Sequence, residues 1–296
     1  MAVNKMPAAE VDIGPDLVRG LLTDQHPDLA GLPLVDVAHG WDNVIYRLGT
    51  ELTVRIPRRA MSAALAEHEL RWLPELAPRL PLPIPAPVRA GRPGRGYPWS
   101  WSVTPWFDGD IAARAEPDDF TAAGEALGLF VRALNQPAPS DAPVNPYRGV
   151  PLTERDAVTR DRINLLGTAI DQTAVAASWT ASVNAPPWSG PPLWLHGDLH
   201  PANLLVRDGR LAAVIDFGDI TGGDPASDLA AAWMWLPAGV RPIFRAAAGG
   251  ADDDTWLRAR GWALSHALAV LHNAADNPLM AGIGRATLDA VLVDSR

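Results

Sequence analysis

Two short apolar runs near residue 210 restrict the fold of this chain more than any other stretch of the sequence. Residues 204–207 and 211–216 are predicted strands, joined by the tight turn RDGR at 207–210. Strands joined in this way form an antiparallel hairpin. Asn203 precedes the first strand and Asp216 ends the second. We therefore expect the open end of the hairpin to bring these two residues together, with Asp198 nearby.

These three side chains predict a particular chemistry. An asparagine and an aspartate offer two oxygen donors, which suit a hard cation such as Mg²⁺. Asp198 lies close in sequence but outside that pair, so it is placed to act as a general base or to orient a nucleophile. Together they provide what phosphoryl transfer requires. Taken singly, each could equally cap or brace a loop.

Length, composition and charge exclude several classes of protein. A chain of 296 residues suggests about two domains, and 48% hydrophobic with 20% charged residues is typical of globular proteins. The absence of cysteine excludes disulfides and thiolate metal sites. A net charge of −9 argues against a nucleic-acid surface. It would suit a cationic small-molecule partner, although acidity can serve solubility alone.

Nothing in the sequence predicts contact with a membrane. The N-terminal residues MAVNKMPAAEVDIGPD contain no apolar segment typical of a secretory signal. No uninterrupted apolar run approaches the roughly 18 residues of a membrane helix. We therefore expect a soluble cytoplasmic protein, either a monomer or a homodimer.

The order of predicted elements divides the chain in two. The first part reads β-β-β-α-β-β after a short helix at 15–22, with strands at 32–38, 43–49, 51–57, 84–90 and 97–107 and a helix at 60–76. After residues 107–110 the composition favours helices, with long ones at 118–135 and 153–179. This order predicts a smaller β-rich lobe followed by a larger helical lobe, with a boundary near 106–110.

The motifs HGDLHPAN at 196–203 and IDFGD at 215–219 resemble the catalytic and metal-binding loops of the aminoglycoside phosphotransferase family. This family is distantly related to protein kinases and close to choline, homoserine and macrolide kinases. The resemblance covers most of the chain. It implies an α+β, bilobal protein-kinase-like fold, with a nucleotide-binding lobe at 1–106 and a catalytic and substrate-binding lobe at 107–296.

The resemblance also assigns roles around the two motifs. Asp198 matches the catalytic aspartate that takes or orients the substrate hydroxyl, and Asn203 and Asp216 match the Mg²⁺ ligands. His196 matches a histidine that holds the catalytic loop. Asp228 resembles the acid that opens the next helix and ties the loop backbone, a role compatible with a plain N-cap.

Nucleotide-binding residues in the first lobe follow from the same resemblance. The loop HGWDN at 39–43, with Gly40 and Asn43, would approach the phosphates of ATP or GTP through its backbone. Arg55 stands where the family has a lysine, and its charge and fork geometry suit phosphate. Its partner would be Glu69, with Glu67 as the alternative.

The hinge between the lobes would be TPWF at 104–107. Adenine would accept a hydrogen bond from the Phe107 amide and donate one to the Pro105 carbonyl, because proline has no amide hydrogen to donate. The Trp106 side chain could instead belong to the core.

Two histidines four residues apart invite a zinc interpretation. Such a motif requires a helix, which Gly197 and Pro201 disfavour, and a glutamate where Gly197 stands. His200 is therefore predicted to support the loop rather than to bind phosphate or substrate. A pseudokinase that only binds nucleotide is a further alternative, although Asp198, Asn203 and Asp216 are all present.

The sequence does not decide whether the acceptor is an antibiotic or a metabolite such as choline or homoserine. A polycationic aminoglycoside would suit acidic residues, for which Asp224 and the run 252–254 are candidates. Asp224 could equally be a turn residue, and the acidic run could begin a helix. A macrolide would suit an apolar pocket, which Trp233, Trp235 or Trp262 could line if they do not belong to the core.

Overall fold

The computed structural model describes residues 7–273 and 276–294. It has an antiparallel sheet in the N-terminal region and a mainly helical C-terminal part, so the predicted α+β class is confirmed. Each region has a hydrophobic core of its own. Within the described residues, no helix is both long and apolar enough to cross a bilayer.

The N-terminal region is a five-stranded antiparallel sheet with the order β1-β2-β3-β5-β4. Every second residue of β2 is buried, as expected for a strand with one face on the core. The elements are α1 Pro15–Gln25, β1 Leu34–His39, β2 Asn43–Leu48, β3 Leu52–Pro57, α2 Ala60–Leu76, β4 Arg89–Gly91 and β5 Trp101–Pro105.

The predicted strand at 84–90 is largely wrong. Only β4, Arg89–Gly91, pairs with β5 in this stretch. Prolines occur at every second position from 81 to 87, and a proline cannot donate a ladder hydrogen bond. The segment therefore joins no sheet until the last proline has passed, and its Pro83 carbonyl instead accepts a single hydrogen bond from the Val214 amide at 3.1 Å.

The C-terminal part is built around one long helix, α9, which packs against α4, α5, α6, α7 and α10. The elements of this part are β6 Asp110–Ile111, α3 Phe120–Leu134, α4 Asp156–Leu166, α5 Gln172–Val183, β7 Leu193–Leu195, β8 Leu204–Arg207, β9 Arg210–Val214, β10 Thr221–Gly223, α6 Ala226–Leu229, α7 Ala231–Trp235, α8 Arg241–Ala247, α9 Asp253–Asn273 and α10 Pro278–Val293.

The single helix expected at 153–179 is two helices. α4 ends at Leu166, and Gly167 follows with a φ of 52°. This left-handed conformation stops the helix and is easily adopted only by glycine. After a short connection, α5 begins at Gln172, where the Asp171 side chain accepts a hydrogen bond from the Ala174 amide.

The predicted hairpin is present, with β8 pairing antiparallel to β9. Asp208 and Gly209 form its turn with φ values of 50° and 71°, as in the tight turns that match the twist of paired strands. β9 is shorter than expected and ends at Val214, so Asp216 follows the strand by two residues. The lobe boundary between residues 106 and 107 remains a prediction.

Candidate active site

The open end of the β8–β9 hairpin holds Asn203 and Asp216 close to each other. The Ile215 amide donates a hydrogen bond to the Asn203 carbonyl at 2.9 Å. The Asn203 side-chain amide in turn donates to the Asp198 carbonyl at 2.9 Å. A continuous set of hydrogen bonds therefore joins the backbone segments that carry all three predicted residues.

Asp216 has a left-handed backbone conformation, with a φ of 62°. This conformation is unusual for any residue other than glycine, and it is most easily tolerated by asparagine and aspartate. It turns the chain sharply after β9 and leaves the Asp216 side chain 60% exposed. Strained residues of this kind concentrate at functional sites.

The donor set at this end of the hairpin fits a hard divalent cation. The Asn203 side-chain nitrogen donates its hydrogen bond to the Asp198 carbonyl. The Oδ1 atom of Asn203 is left to act as an acceptor or a metal ligand. The Asp216 carboxylate is exposed, and its closest cation is the Arg55 guanidinium at 3.7 Å. One buried and one exposed oxygen donor match the way proteins hold Mg²⁺, with the remaining positions left to water and phosphate.

Asp198 is surrounded by three cationic or potentially cationic side chains. Arg148 donates a hydrogen bond to its Oδ1 at 2.7 Å. The Nε2 atoms of His200 and His266 lie 3.2 Å and 3.5 Å from its carboxylate oxygens. Burial alone would raise the pKa of Asp198, but Arg148 and His200 outweigh it and hold this pKa well below its usual range. Asp198 is therefore a carboxylate at neutral pH.

Arg148 links Asp198 to a second carboxylate. Its Nε donates to Asp219 at 3.1 Å, and the Asn145 side-chain amide donates to the same carboxylate at 2.7 Å. Burial opposes the charge of Arg148, but Asp198 and Asp219 more than compensate and raise its pKa. The loop that contains Asn145 and Arg148 is thereby fixed against the catalytic loop.

Asp228 of α6 fixes the backbone of the catalytic loop through its carboxylate. Its two carboxylate oxygens accept hydrogen bonds from the amides of His196 and Gly197 at 2.7 Å and 2.9 Å. Burial raises the pKa of Asp228. Gly197 has a φ of 84°, and a Cβ atom there would collide with the Asp219 carbonyl, so only glycine fits this turn.

The His196 ring is buried and both of its nitrogens are used. Its Nδ1 accepts a hydrogen bond from the Asp198 amide at 3.2 Å, which leaves Nε2 to donate to the Ile215 carbonyl at 3.0 Å. The ring also packs on Phe217. His196 therefore connects the two motifs, and it shares no zinc site with His200. His200 instead lies beside His266, with ring centroids 5.3 Å apart.

Asp224 is a structural residue. The substrate contact that the sequence suggested for Asp224 is therefore corrected. Its side chain is only 3% exposed. Arg258 of α9 donates to both carboxylate oxygens, at 2.7 Å and 3.2 Å, and the Ala226 amide donates as well. Because the side chain is buried and both of its oxygens accept hydrogen bonds within the fold, Asp224 presents no exposed carboxylate to a substrate.

Removing this carboxylate should destabilise the fold strongly. The variant Asp224→Ala leaves the buried Arg258 guanidinium without its partner, which costs about 3–5 kcal/mol of unfolding free energy. Urea denaturation followed by circular dichroism measures the change. Asp161→Ala, an exposed acid on α4, is the matched control and should leave the midpoint unchanged. Equal midpoints for the two variants would contradict the buried ion pair.

Arg55 of β3 pairs with Glu69 of α2. Their closest atoms, Nη1 and Oε1, lie 3.1 Å apart, and both side chains are almost fully buried. Of the two glutamates that the sequence left open, the partner is therefore Glu69. Burial raises the pKa of Glu69, with Arg55 acting against it. The pair joins the sheet to α2 and directs the Arg55 guanidinium towards Asp216.

The loop between β1 and β2 is short and internally bonded. The Gly40 amide donates to the Asn43 carbonyl at 2.8 Å, and Arg58 donates to the Gly40 carbonyl at 2.8 Å. The Asp42 carboxylate accepts from Ser62 and Arg59. Asn43 Oδ1 is buried without a partner. The predicted phosphate loop is thus fastened to the start of α2.

The predicted hinge begins in the last two residues of β5, Thr104 and Pro105, and continues beyond the strand to Phe107. The Trp106 amide donates to the Glu51 carbonyl at 2.8 Å, and Arg47 lies 4.6 Å over the Trp106 ring. The side chain of Trp106 therefore packs against Arg47 at the end of the central strands β3 and β5, and its indole nitrogen donates to Asp108 at 2.8 Å. Pro105 and Phe107 flank it, and both line an open groove of about 520 Å³.

Fold and site together define a class of protein: a kinase-like phosphotransferase, with a sheet region that carries a buried arginine–glutamate pair and a helical region that carries the hairpin site. The chain belongs to the phosphotransferase enzyme family, whose family model matches residues 34–262. Comparison with curated protein sequences finds no significant match.

Solved structures of similar fold include antibiotic phosphotransferases. The GDP and kanamycin complex of an APH(2") enzyme is 18% identical, with a TM-score of 0.71 over 94% of this chain and 99% of that one. Macrolide 2'-phosphotransferase MphH from Brachybacterium faecium is 22% identical, with a TM-score of 0.59 over 93% and 97%. Macrolide 2'-phosphotransferase type I is 19% identical, with a TM-score of 0.63 over 94% and 98%. The kinase-like fold is thereby confirmed.

The sequence analysis did not predict three residues of the site, Arg148, Asp219 and His266. Asp219 lies within the motif IDFGD, and its position there was the one available signal. Arg148 and His266 come from a loop and a helix far away in sequence, and no local pattern distinguishes them from ordinary surface residues.

Proposed function

We propose that this phosphotransferase moves the γ-phosphoryl group of ATP or GTP to a hydroxyl group of a small molecule. The observation that carries the proposal is the convergence of Asp198, Asn203 and Asp216 at one end of the β8–β9 hairpin. Membership of the phosphotransferase family supports it. Structures with GDP and with ADP among the similar folds support a nucleotide as the phosphoryl donor.

Asn203 Oδ1 and the Asp216 carboxylate would hold a Mg²⁺ ion. When bound, the ion supplies positive charge that offsets the charge of the nucleotide phosphates. Arg55 lies 3.7 Å from Asp216, so its guanidinium would contact the same phosphates from the side of the sheet. Glu69 keeps Arg55 in this orientation.

The rest of the nucleotide would lie along the sheet. Backbone amides of the loop containing Gly40 and Asn43 would contact the phosphates. Adenine or guanine would bond to the Pro105 carbonyl and the Phe107 amide, since the Trp106 amide between them is already bonded to Glu51.

Asp198 would accept a hydrogen bond from the acceptor hydroxyl and aim its oxygen at the γ-phosphorus. A new P–O bond forms, the bond to the leaving diphosphate breaks, and the hydroxyl proton passes to the Asp198 carboxylate. Because Arg148 and His200 hold the pKa of Asp198 low, this carboxylate is a weak base. Its larger contribution is orientation, with the proton moving late in a loose transition state.

The test is a transfer assay on the purified protein with Mg²⁺ and either ATP or GTP. We expect one of the nucleotides, with a hydroxylated acceptor, to give a product heavier by one phosphoryl group in mass spectrometry. The acceptor panel includes aminoglycosides and macrolides, because several similar folds are enzymes for these compounds, together with small hydroxylated metabolites such as choline and homoserine. Nucleotide binding without any phosphorylated acceptor would instead indicate a pseudokinase.

A further inference from the structure

Asp198 and Asp219 extend from the same end of the small sheet formed by β7 and β10. The two strands pair antiparallel, and Leu195, the last residue of β7, lies opposite Thr221, the first residue of β10. Asp198 follows β7 by three residues, and Asp219 precedes β10 by two. A Cβ atom on Gly197 would lie only 2.4 Å from the Asp219 carbonyl oxygen. The backbone segments that carry the two carboxylates therefore lie side by side.

The loop that contains Arg148 is bonded to the same sheet on both sides of this residue. Before Arg148, the Pro143 carbonyl accepts a hydrogen bond from the Thr221 hydroxyl at 2.9 Å. After it, the Gly149 carbonyl accepts one from the Asp224 amide at 2.8 Å. Gly149 has a φ of 65°, a conformation that favours glycine. Arg148 is therefore held between two points attached to the sheet from which both carboxylates extend.

The Arg148 guanidinium bridges the two carboxylates. Its Nη2 donates to Asp198 Oδ1 at 2.7 Å, and its Nε donates to Asp219 Oδ2 at 3.1 Å. The other Asp219 oxygen accepts a hydrogen bond from the Asn145 side chain at 2.7 Å. The donors of a guanidinium have a fixed planar geometry. With its Nε bound to Asp219, Arg148 therefore presents Nη2 to Asp198 in one set direction.

The direction of the Asp198 carboxylate depends on such a donor, because the terminal torsion of an aspartate has a broad range. The Nε2 atoms of His200 and His266 lie further away than Arg148, at 3.2 Å and 3.5 Å, and are charged only when protonated. Arg148 has the shortest contact and a permanent charge. A carboxylate has about four lone-pair sites, so the bond to Arg148 leaves others for a hydroxyl.

The cavity beside Asp198 leaves little tolerance for a change in that direction. Arg148, Met234, Trp262 and His266 are among the residues that line it, and its volume is about 10 Å³. This is room for about one water molecule. A hydroxyl group has a similar size, so the direction of the carboxylate decides whether a hydroxyl can bond to it there.

We propose that Arg148 is a positioning residue for phosphoryl transfer: anchored on Asp219, its guanidinium sets the direction of the Asp198 carboxylate that orients the acceptor hydroxyl. The proposal rests on the phosphotransferase function proposed above. It also connects the two motifs, because Asp219 follows the proposed metal ligand Asp216 by three residues. Groups that act in one geometry depend on supporting contacts of this kind.

The first test separates turnover from nucleotide binding. With saturating Mg²⁺, nucleotide and the best acceptor of the panel above, Arg148→Ala should lower kcat about 10- to 100-fold, because a misdirected carboxylate no longer aligns the hydroxyl. The KM for nucleotide, and the affinity for ADP measured by calorimetry, should stay within about twofold of wild type. The proposed metal ligands Asn203 and Asp216 are unchanged in this variant.

Arg148→Lys should have a kcat between those of Arg148→Ala and the wild type. An ammonium keeps the charge but cannot hold two carboxylates in the fixed geometry of a guanidinium. Arg160→Ala is the matched control, because Arg160 is an exposed arginine of α4 that pairs with Asp156. It should have the wild-type kcat. Thermal unfolding followed by circular dichroism checks that every variant folds.

Free guanidinium ions distinguish a positioning role from a structural one. In Arg148→Ala, a guanidinium ion can enter the space left by the side chain and restore the contact with Asp198. We expect guanidinium chloride, at a concentration that leaves the protein folded, to raise the turnover of Arg148→Ala. It should leave the turnover of Asp198→Ala unchanged. Sodium chloride at the same concentration is the control for ionic strength.

Asp219→Asn tests the anchor. This variant should lose less turnover than Arg148→Ala does. The double variant should be no slower than Arg148→Ala alone, because both substitutions break the same chain of contacts. Losses that simply add would contradict the anchoring of Arg148 on Asp219.

Two outcomes would overturn the proposal and leave the phosphotransferase function intact. One is a turnover of Arg148→Ala that equals or exceeds that of the wild type. The other is a loss of turnover that guanidinium ions do not restore, which would assign Arg148 to the stability of the fold alone. If the wild-type protein phosphorylates no acceptor, the proposed function itself is wrong, and the role of Arg148 with it.

Discussion

Asp198→Ala should reduce turnover by about 10³-fold and leave the affinity for nucleotide within a few-fold of the wild type. The substitution removes the carboxylate that we propose orients the acceptor hydroxyl, so that hydroxyl loses its hydrogen-bond partner. The predicted metal ligands are untouched, and the Asp198 carbonyl still accepts the Asn203 side chain.

Turnover is measured with saturating acceptor, and nucleotide affinity by calorimetry on the same preparation. Asp198→Asn keeps the size of the side chain and should be nearly as inactive. Glu125→Ala, an exposed acid on α3, serves as a control with full activity. Near wild-type turnover in Asp198→Ala would show that another group orients the acceptor, with His266 the next to test.

Asp216→Asn should abolish most of the contribution of Mg²⁺ to nucleotide binding. Losing a carboxylate ligand weakens a magnesium site by at least about tenfold, because Mg²⁺ relies on one or two carboxylates. Wild-type protein should lose nucleotide affinity when EDTA removes the metal. The Asn variant should start at that weaker affinity and lose little more.

Asparagine is the right substitution here because it tolerates the left-handed backbone of Asp216. Asp208→Asn is a matched control, since Asp208 also has a positive φ, of 50°, in an exposed turn. It should bind nucleotide as the wild type does, in the presence and absence of EDTA. If the Asp216→Asn variant loses as much nucleotide affinity on addition of EDTA as the wild type does, Asp216 is not a metal ligand.

Local sequence patterns predicted those parts of the fold that local interactions determine. The alternating residues of β2, the helix-forming run of α2 and the Asp208-Gly209 turn each specify their conformation within a few residues. The same reasoning failed at 84–90, where alternating prolines block pairing, and at Gly167, where one left-handed residue divides a helix.

The residues of the candidate site likewise differ in whether local structure or tertiary packing places them. Asn203 and Asp216 could be placed together from sequence because a hairpin joins them. Arg148 and His266 reach Asp198 only through the tertiary packing of a loop and a distant helix. The burial of Asp224 against Arg258 also depends on where α9 lies. Composition gave no indication of it.

The central position of α9 has a consequence for how the acceptor range of this enzyme can change. Arg258, which pairs with the buried Asp224, and His266, which lines a small pocket beside Asp198, are about two turns apart on this one helix. Substitutions along α9 that reshape the pocket would therefore cost stability as well. New acceptor preferences should thus arise from substitutions along α9 only after stabilising mutations have accumulated.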